Sequence, residues 1–224
     1  MPNWVDNKIV ISGSESDVEA LKRKVGATIQ VPTVEYVQDS DGKVMLDENK
    51  NVIKRPTQRT TEEPVFAFWN IIQPAKEDYE SYQDQGWYNW NCAHWGTKWD
   101  TAGDVEVIDD SPGHWHLSFS TAWSPPTEAL TELSRQFPEV TIHNEWLEEQ
   151  GFGAEDVHSD GSVTTVREWN IPETHEDYEE IFGEGNCFCY HTDSEDDYWF
   201  QDCPRAGDDT QRAVAELEKI SEVV

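Results

Sequence analysis

Four tryptophans, Trp87, Trp90, Trp95 and Trp99, fall within the fourteen residues 87–100. Each indole removes about 150–250 Å² from water when buried, so a segment this rich must lie against a core or against a partner. The rest of the chain needs that contribution. Hydrophobic residues make up only 36% of 224 residues and aromatics 12%, so rings must supply much of the apolar burial. A chain of this length holds one good core, or one core and a small lobe.

Two readings of the tryptophans stand side by side. In the simpler one they form a wall closing one face of a sheet, with Gly96 allowing a close backbone turn. In the other, Trp87, Tyr88, Trp90, Trp95 and Trp99 present flat faces that stack on a base, a sugar or a partner's arginine, with Lys98 as the nearby cation.

Periodicity orders the elements around this segment. Lys8 to Ser12 reads as a buried strand, followed by a cap at residues 13–17 and by Val18, Leu21 and Val25 at helical spacing. Residues 31–53 read as a hairpin turning at Asp39-Ser40-Asp41-Gly42, and residues 54–63 as a polar loop. A short helix is expected over 76–83. Residues 104–108 and 115–120 alternate with period two around the turn Asp109-Asp110-Ser111-Pro112-Gly113. Pro125-Pro126 opens a helix that buries Leu130, Leu133 and Phe137, and residues 140–146 form the next strand. The order βαββαβ predicts an α+β, ferredoxin-like core with a long insertion after the first helix.

Beyond Gly151-Phe152-Gly153, an acidic extension is expected to carry a strand over 162–169, a short helix over 176–182, two strands over 187–191 and 198–201, and a terminal helix over 210–224. It either extends the main sheet or forms a small lobe. Trp69-Asn70-Ile71, echoed by Trp169-Asn170-Ile171, raises an internal duplication as one option.

The opening Met1-Pro2-Asn3-Trp4, the run Trp95-Gly96-Thr97-Lys98-Trp99-Asp100 and the downstream Thr121-Ala122-Trp123-Ser124-Pro125-Pro126 resemble the Api92-like proteins of phages and plasmids. The resemblance covers about residues 1–153. It implies a ferredoxin-like domain there, with a hairpin insertion at 31–63 and an aromatic insertion at 64–100, and leaves 154–224 as the acidic extension. Val5 stands where a cysteine is common in that family, which argues against redox or metal chemistry at this position.

Charge restricts the partners. Forty-six acidic against sixteen basic residues give a formal charge of −30, which repels phosphate backbones and anionic membranes at long range. Direct duplex DNA binding is not expected. Three accounts of the acids compete: a solvated surface adapted to high salt, a DNA-like surface that captures basic grooves, and a metal-binding cluster. The DNA-like surface would comprise Asp193, Glu195, Asp196, Asp197, Asp202, Asp208 and Asp209.

Signals for chemistry are weak. Cys187, Cys189, His191 and Cys203 could assemble a zinc site, but lack the two-residue gap of common zinc knuckles; Cys92 and His94 share the same alternate spacing. Buried or half-buried thiols explain these cysteines more simply. No phosphate-cradling glycine loop, nucleophile elbow or persuasive catalytic dyad is present, and no cofactor is expected. No apolar run approaches the roughly 18–20 residues that cross a bilayer, and the N-terminus lacks signal-peptide features, so a host-cell cytoplasmic location is expected. The primary expectation is a non-enzymatic accessory protein of a phage, virus or plasmid that binds a host or defence protein with a basic surface. A nucleotide or single-stranded nucleic-acid binding module, and an acidic halophilic-type protein, are the alternatives.

Overall fold

The computed structural model describes residues 3–60, 64–82, 86–101 and 105–183. Its central strand is β1 (Trp4–Ser12), where Val5, Asn7, Ile9 and Ile11 point inward while Trp4, Asp6 and Lys8 face out. Ser14 caps helix α1 (Glu15–Val25), its hydroxyl accepting from the Asp17 N–H at 3.2 Å. Glu15 and Asp17 in the first turn, and Lys22, Arg23 and Lys24 in the last, complement the helix dipole. Val18, Leu21 and Val25 are buried on the sheet side. Each such side chain contributes roughly 1.5–3 kcal/mol.

The insertion that follows is an arm. Strand β2 (Gln30–Tyr36) pairs antiparallel with β3 (Lys54–Thr60), from Gln30 opposite Thr60 to Tyr36 opposite Lys54. The polar stretch expected to be a loop is therefore a strand over residues 54–60, defined by its backbone pairing with β2. Between the strands the chain makes two turns of one kind. Asp39 Oδ1 accepts from the N–H groups of Asp41 and Lys43, both at 3.0 Å, and Asp47 Oδ1 accepts from those of Asn49 and Asn51, both at 2.8 Å. The left-handed position falls to Gly42 in the first turn (φ 77°) and to Lys50 in the second (φ 68°). Val37, Met45 and Ile53, eight residues apart, close a ring of backbone hydrogen bonds: Val37 N–H to Ile53, Met45 N–H to Val37 and Ile53 N–H to Met45, at 2.8–3.0 Å. A single expected turn thus becomes two, because Lys50 takes a conformation usually signalled by glycine.

The chain then returns to the body. A buried 3₁₀ turn at Phe68–Asn70 is followed by another at Lys76–Asp78, which runs into the single-turn helix α2 (Tyr79–Ser81) in place of the expected short helix. Helix α3 (Trp87–His94) lies where irregular chain was expected; it has no side-chain cap, and of its residues only Asn91 is buried. The hairpin of β4 (Glu106–Ser111) and β5 (His114–Ala122), helix α4 (Thr127–Gln136) and β6 (Thr141–Glu148) complete the core. Strands β7 (Gly153–Ser159) and β8 (Ser162–Trp169) continue the same sheet, giving the order β4-β5-β1-β6-β7-β8. The first four strands in that order, with α1 and α4, are the ferredoxin-like arrangement.

The core lies on one face of this sheet. Ile9, Ile11, Leu117 and Ile142 pack with Leu21, Leu130 and Leu133 of the helices, and the wall is aromatic: Phe66, Phe68, Trp69, Trp95, Trp115 and Phe119. Phe66 stacks on Phe119 with centroids 5.8 Å apart, and Trp95 meets Trp69 edge to face. The opposite face carries Asp6, Lys8, His116, Ser118, His143 and Glu145, with a Lys8–Glu145 ion pair at 3.4 Å.

The chain divides into two compact units, Met1–Glu149 with Gly153–Glu168, and Gln150–Phe152 with the chain from Trp169 onward. In the described part of the second unit, Thr174 and Asp177 form a capping box at the start of α5 (His175–Phe182). The suggested duplication finds no structural counterpart: Trp69 sits in a buried 3₁₀ turn, whereas Trp169 ends a strand and Ile171 is exposed.

Candidate functional site

The segment after α3 is fixed by hydrogen bonds before it presents anything to solvent. Asp100 accepts from the backbone N–H groups of Phe68, Trp69 and Thr101 at 2.7–2.8 Å, and Thr101 donates its hydroxyl to the Phe66 carbonyl. Burial pushes the Asp100 carboxyl above its ordinary value, against the pull of those three donors. Asn91 donates to the Lys98 carbonyl at 2.8 Å and accepts from the Tyr82 hydroxyl at 2.9 Å, while burial pushes that phenol up to about 12. Thr97 donates to the Ala122 carbonyl and Ser124 to that of Gly96, tying the segment to the end of β5. Gly96 is required at this crossing. Its φ is 83°, and an added Cβ would lie 3.0 Å from the Pro125 carbonyl oxygen and 3.1 Å from the Thr127 nitrogen.

This framework holds up a ridge of exposed rings. Trp4, Trp99, Trp123 and Tyr88 are each 37–45% exposed. Trp4 and Trp99 have centroids 6.1 Å apart, Tyr88 meets Trp123 edge to face at 5.6 Å, and Trp87 adjoins Tyr88 at 6.0 Å. Lys98 joins the two ends: its Nζ lies 4.5 Å from the Trp99 ring centroid and 4.3 Å from that of Trp123. Trp123 occupies the left-handed region at φ 78°, which costs a bulky residue about 1–3 kcal/mol. The Trp123 N–H, bound to the Asn3 carbonyl at 2.8 Å, helps to hold it there.

Beside the ridge runs a cleft of about 470 Å³. Its floor is β5 from Ser118 to Ala122, and Trp4, Trp99 and Glu106 line it. Pairing sets its length: Trp4 is opposite Ala122 on one side of β5, and Glu106 is opposite Ser118 on the other. Asp6, opposite Ser120, accepts that serine's hydroxyl at 2.7 Å.

The sequence-predicted residues divide among several places. Trp99 and Lys98 are on the ridge, and half-buried Trp87 is at its end. Trp95, only 2% exposed, belongs to the core and is corrected from the proposed surface; half-buried Trp90 packs against that core and on Tyr82. Trp95, just past the end of α3, meets Phe68 and Trp69, and its indole N–H donates to the Ile72 carbonyl at 3.1 Å. Asp193, Glu195, Asp196, Asp197, Asp202, Asp208 and Asp209 lie outside the described residues, as do Cys187, Cys189, His191 and Cys203. Cys92 is a free thiol and His94 stacks on Trp90 with centroids 4.2 Å apart. Among the described residues no group of three His, Cys, Asp or Glu could hold a metal ion. Trp4, Trp123 and Glu106 were missed as site residues. A bulky tryptophan between Ala122 and Ser124-Pro125-Pro126, in a turn and not in an amphipathic element, is the signal that could have found one of them.

Sheet order and helix placement define a ferredoxin-like α+β protein. Residues 94–184 match the family model described as the ferredoxin-like domain in Api92-like protein. The solved structure of a protein api92 from Yersinia pseudotuberculosis is similar, with a TM-score of 0.53 and 12% identity over 77% of this chain and 99% of that chain. No curated protein matches the chain. Residues 94–184 thus carry a ferredoxin-like domain of the Api92-like kind.

Proposed function

We propose that this protein is a non-enzymatic binding module, an accessory protein of a phage, virus or plasmid that engages a host or defence protein carrying a basic surface. The observation that supports this reading best is the ridge itself. Four exposed rings share one surface, one of them held in a strained backbone conformation, and a lysine ammonium lies between two of them. Tryptophan and tyrosine dominate binding hot spots because they bring large area with little conformational freedom to lose. A formal charge of −30 adds long-range attraction for a cationic partner. No helix among the described residues is long and apolar enough to cross a membrane.

The test is affinity capture from host lysate at moderate salt with the intact chain and with Trp123→Asn. The expected result is a basic protein retained by the intact chain and lost with the variant. Equal recovery by both chains removes the ridge from the reading. Recovery of an oligonucleotide in its place would favour the nucleic-acid alternative.

A further inference from the structure

We infer that the cleft along β5 receives a short, extended basic peptide segment of the partner, with an arginine or lysine side chain laid against Trp4 and Trp99. This deepens the binding reading above and rests on it. Two features select a cation, the indole faces and the carboxylates. Trp4 and Trp99 offer indole faces at one end of the cleft, 44% and 37% exposed, and such faces attract a guanidinium or ammonium through their quadrupole. Trp99 already holds one cation, because Lys98 Nζ lies 4.5 Å from its ring centroid. The other end carries the exposed carboxylate of Glu106, with Asp6 on the floor strand's neighbour. Lys8, the nearby base on β1, is drawn towards Glu145 at 3.4 Å.

Length favours a peptide over a single small cation. The tryptophan end and the Glu106 end are four residues apart along β5, about 13 Å of extended chain. A strand of the same length places two side chains of one face at those ends, one for the rings and one for the carboxylate. Ser118 and Ser120 between them supply hydroxyls for the peptide's polar backbone. A nucleotide meets the opposite situation, because its phosphates would share the cleft with the carboxylates of Glu106 and Asp100.

The full chain is titrated with a capped octapeptide of alternating arginine and serine, and with the same peptide carrying citrulline for arginine, while indole N–H resonances are followed by NMR. The resonances of Trp4 and Trp99, assigned through Trp4→Phe and Trp99→Phe, are expected to shift with the arginine peptide and not with the citrulline peptide. Glu106→Gln is expected to weaken binding about fivefold, whereas Glu155→Gln, the same charge change on β7, leaves it within about twofold. Equal shifts by the citrulline peptide, or equal weakening by both glutamine variants, overturns the inference. If a captured partner depends on Trp123 while the peptide leaves Trp4 and Trp99 unmoved, the cleft assignment falls and the ridge reading stands. If the peptide shifts those two indoles while capture ignores Trp123, the ridge reading falls and the cleft remains.

Discussion

Thr131 on α4 and His158 on β7 share a hydrogen bond, Oγ1 to Nδ1 at 2.9 Å, that ties a helix to the outer half of the sheet. His158 is fully buried, and its Nε2 has no partner among the described residues. Burial lowers its pKa to about 4, against a small upward pull from Asp156. The neutral ring is therefore part of the folded state. Because the folded value lies below the unfolded one, stability is full above about pH 6.5 and falls as pH drops towards 4, by about 1.4 kcal/mol per unit.

The corresponding prediction compares urea midpoints of the natural chain and His158→Gln at pH 7 and pH 4.5. Glutamine keeps an acceptor for Thr131 but does not titrate. The variant should lose about 2–3 kcal/mol less than the natural chain between the two pH values. Equal acid sensitivity would show that other groups govern the acid limb.

Asp100 offers a second prediction. Its two oxygens satisfy three backbone donors at the start of the aromatic wall, and an asparagine there turns an NH₂ group towards one of them. Asp100→Asn should destabilise by about 1–3 kcal/mol, read as a lowered urea midpoint with unchanged slope. Near-UV circular dichroism should change as well, because Phe68 and Trp69 lose their anchor. An unchanged midpoint would mean that the carboxylate is dispensable.

Trp123 should show a conflict between stability and binding. Asparagine tolerates φ near 78° far better than tryptophan, so Trp123→Asn relieves strain of about 1–3 kcal/mol. It also gives up the Lys98 contact, worth about 0.5–1 kcal/mol at an exposed site. The variant should therefore melt no earlier than the natural chain while losing partner capture. A marked drop in Tm would assign the residue to the fold and not to the surface.

Gly96→Ala is predicted to act at a distance. The new Cβ meets the Pro125 carbonyl at 3.0 Å in a conformation that L residues rarely adopt, and a loss of about 1–2 kcal/mol is expected. Lys98 and Trp99 follow immediately, so the Trp99 indole resonance should move even without ligand. A silent Trp99 signal would separate the crossing from the ridge.

Much of the fold was legible because its causes are local. The alternation in β1 and β5, the buried face of α1 and the cap at Ser14 are written in neighbouring residues, and the strand expected over 162–169 is β8, Ser162–Trp169. β3 was missed because Lys54–Thr60 carries no alternation; its partner across the ladder defines it. The ridge was half legible. Trp99 and Lys98 lie in the conspicuous segment, but Trp4 and Trp123 come from 95 residues before Trp99 and 24 after it. The pairing of Trp4 with Ala122, and the hydrogen bonds of Thr97 to Ala122 and of Ser124 to Gly96, bring these three tryptophans together. Burial of Trp95 could not be read from its neighbours in sequence, because it follows α3 and is fixed by Phe68 and Trp69 far back in the chain.

The ring of Val37, Met45 and Ile53 makes the tip of the arm self-sufficient. Its backbone groups answer one another, its turns are closed by their own aspartates, and none of its residues belongs to the buried cluster of the body. In sequence, the stretch 30–60 carries five acids and five bases, so it stands neutral on a chain of −30. Such a piece behaves as a cassette. A change of length or of residues at its tip is absorbed by its own turns, because no residue there belongs to the buried cluster that holds the sheet.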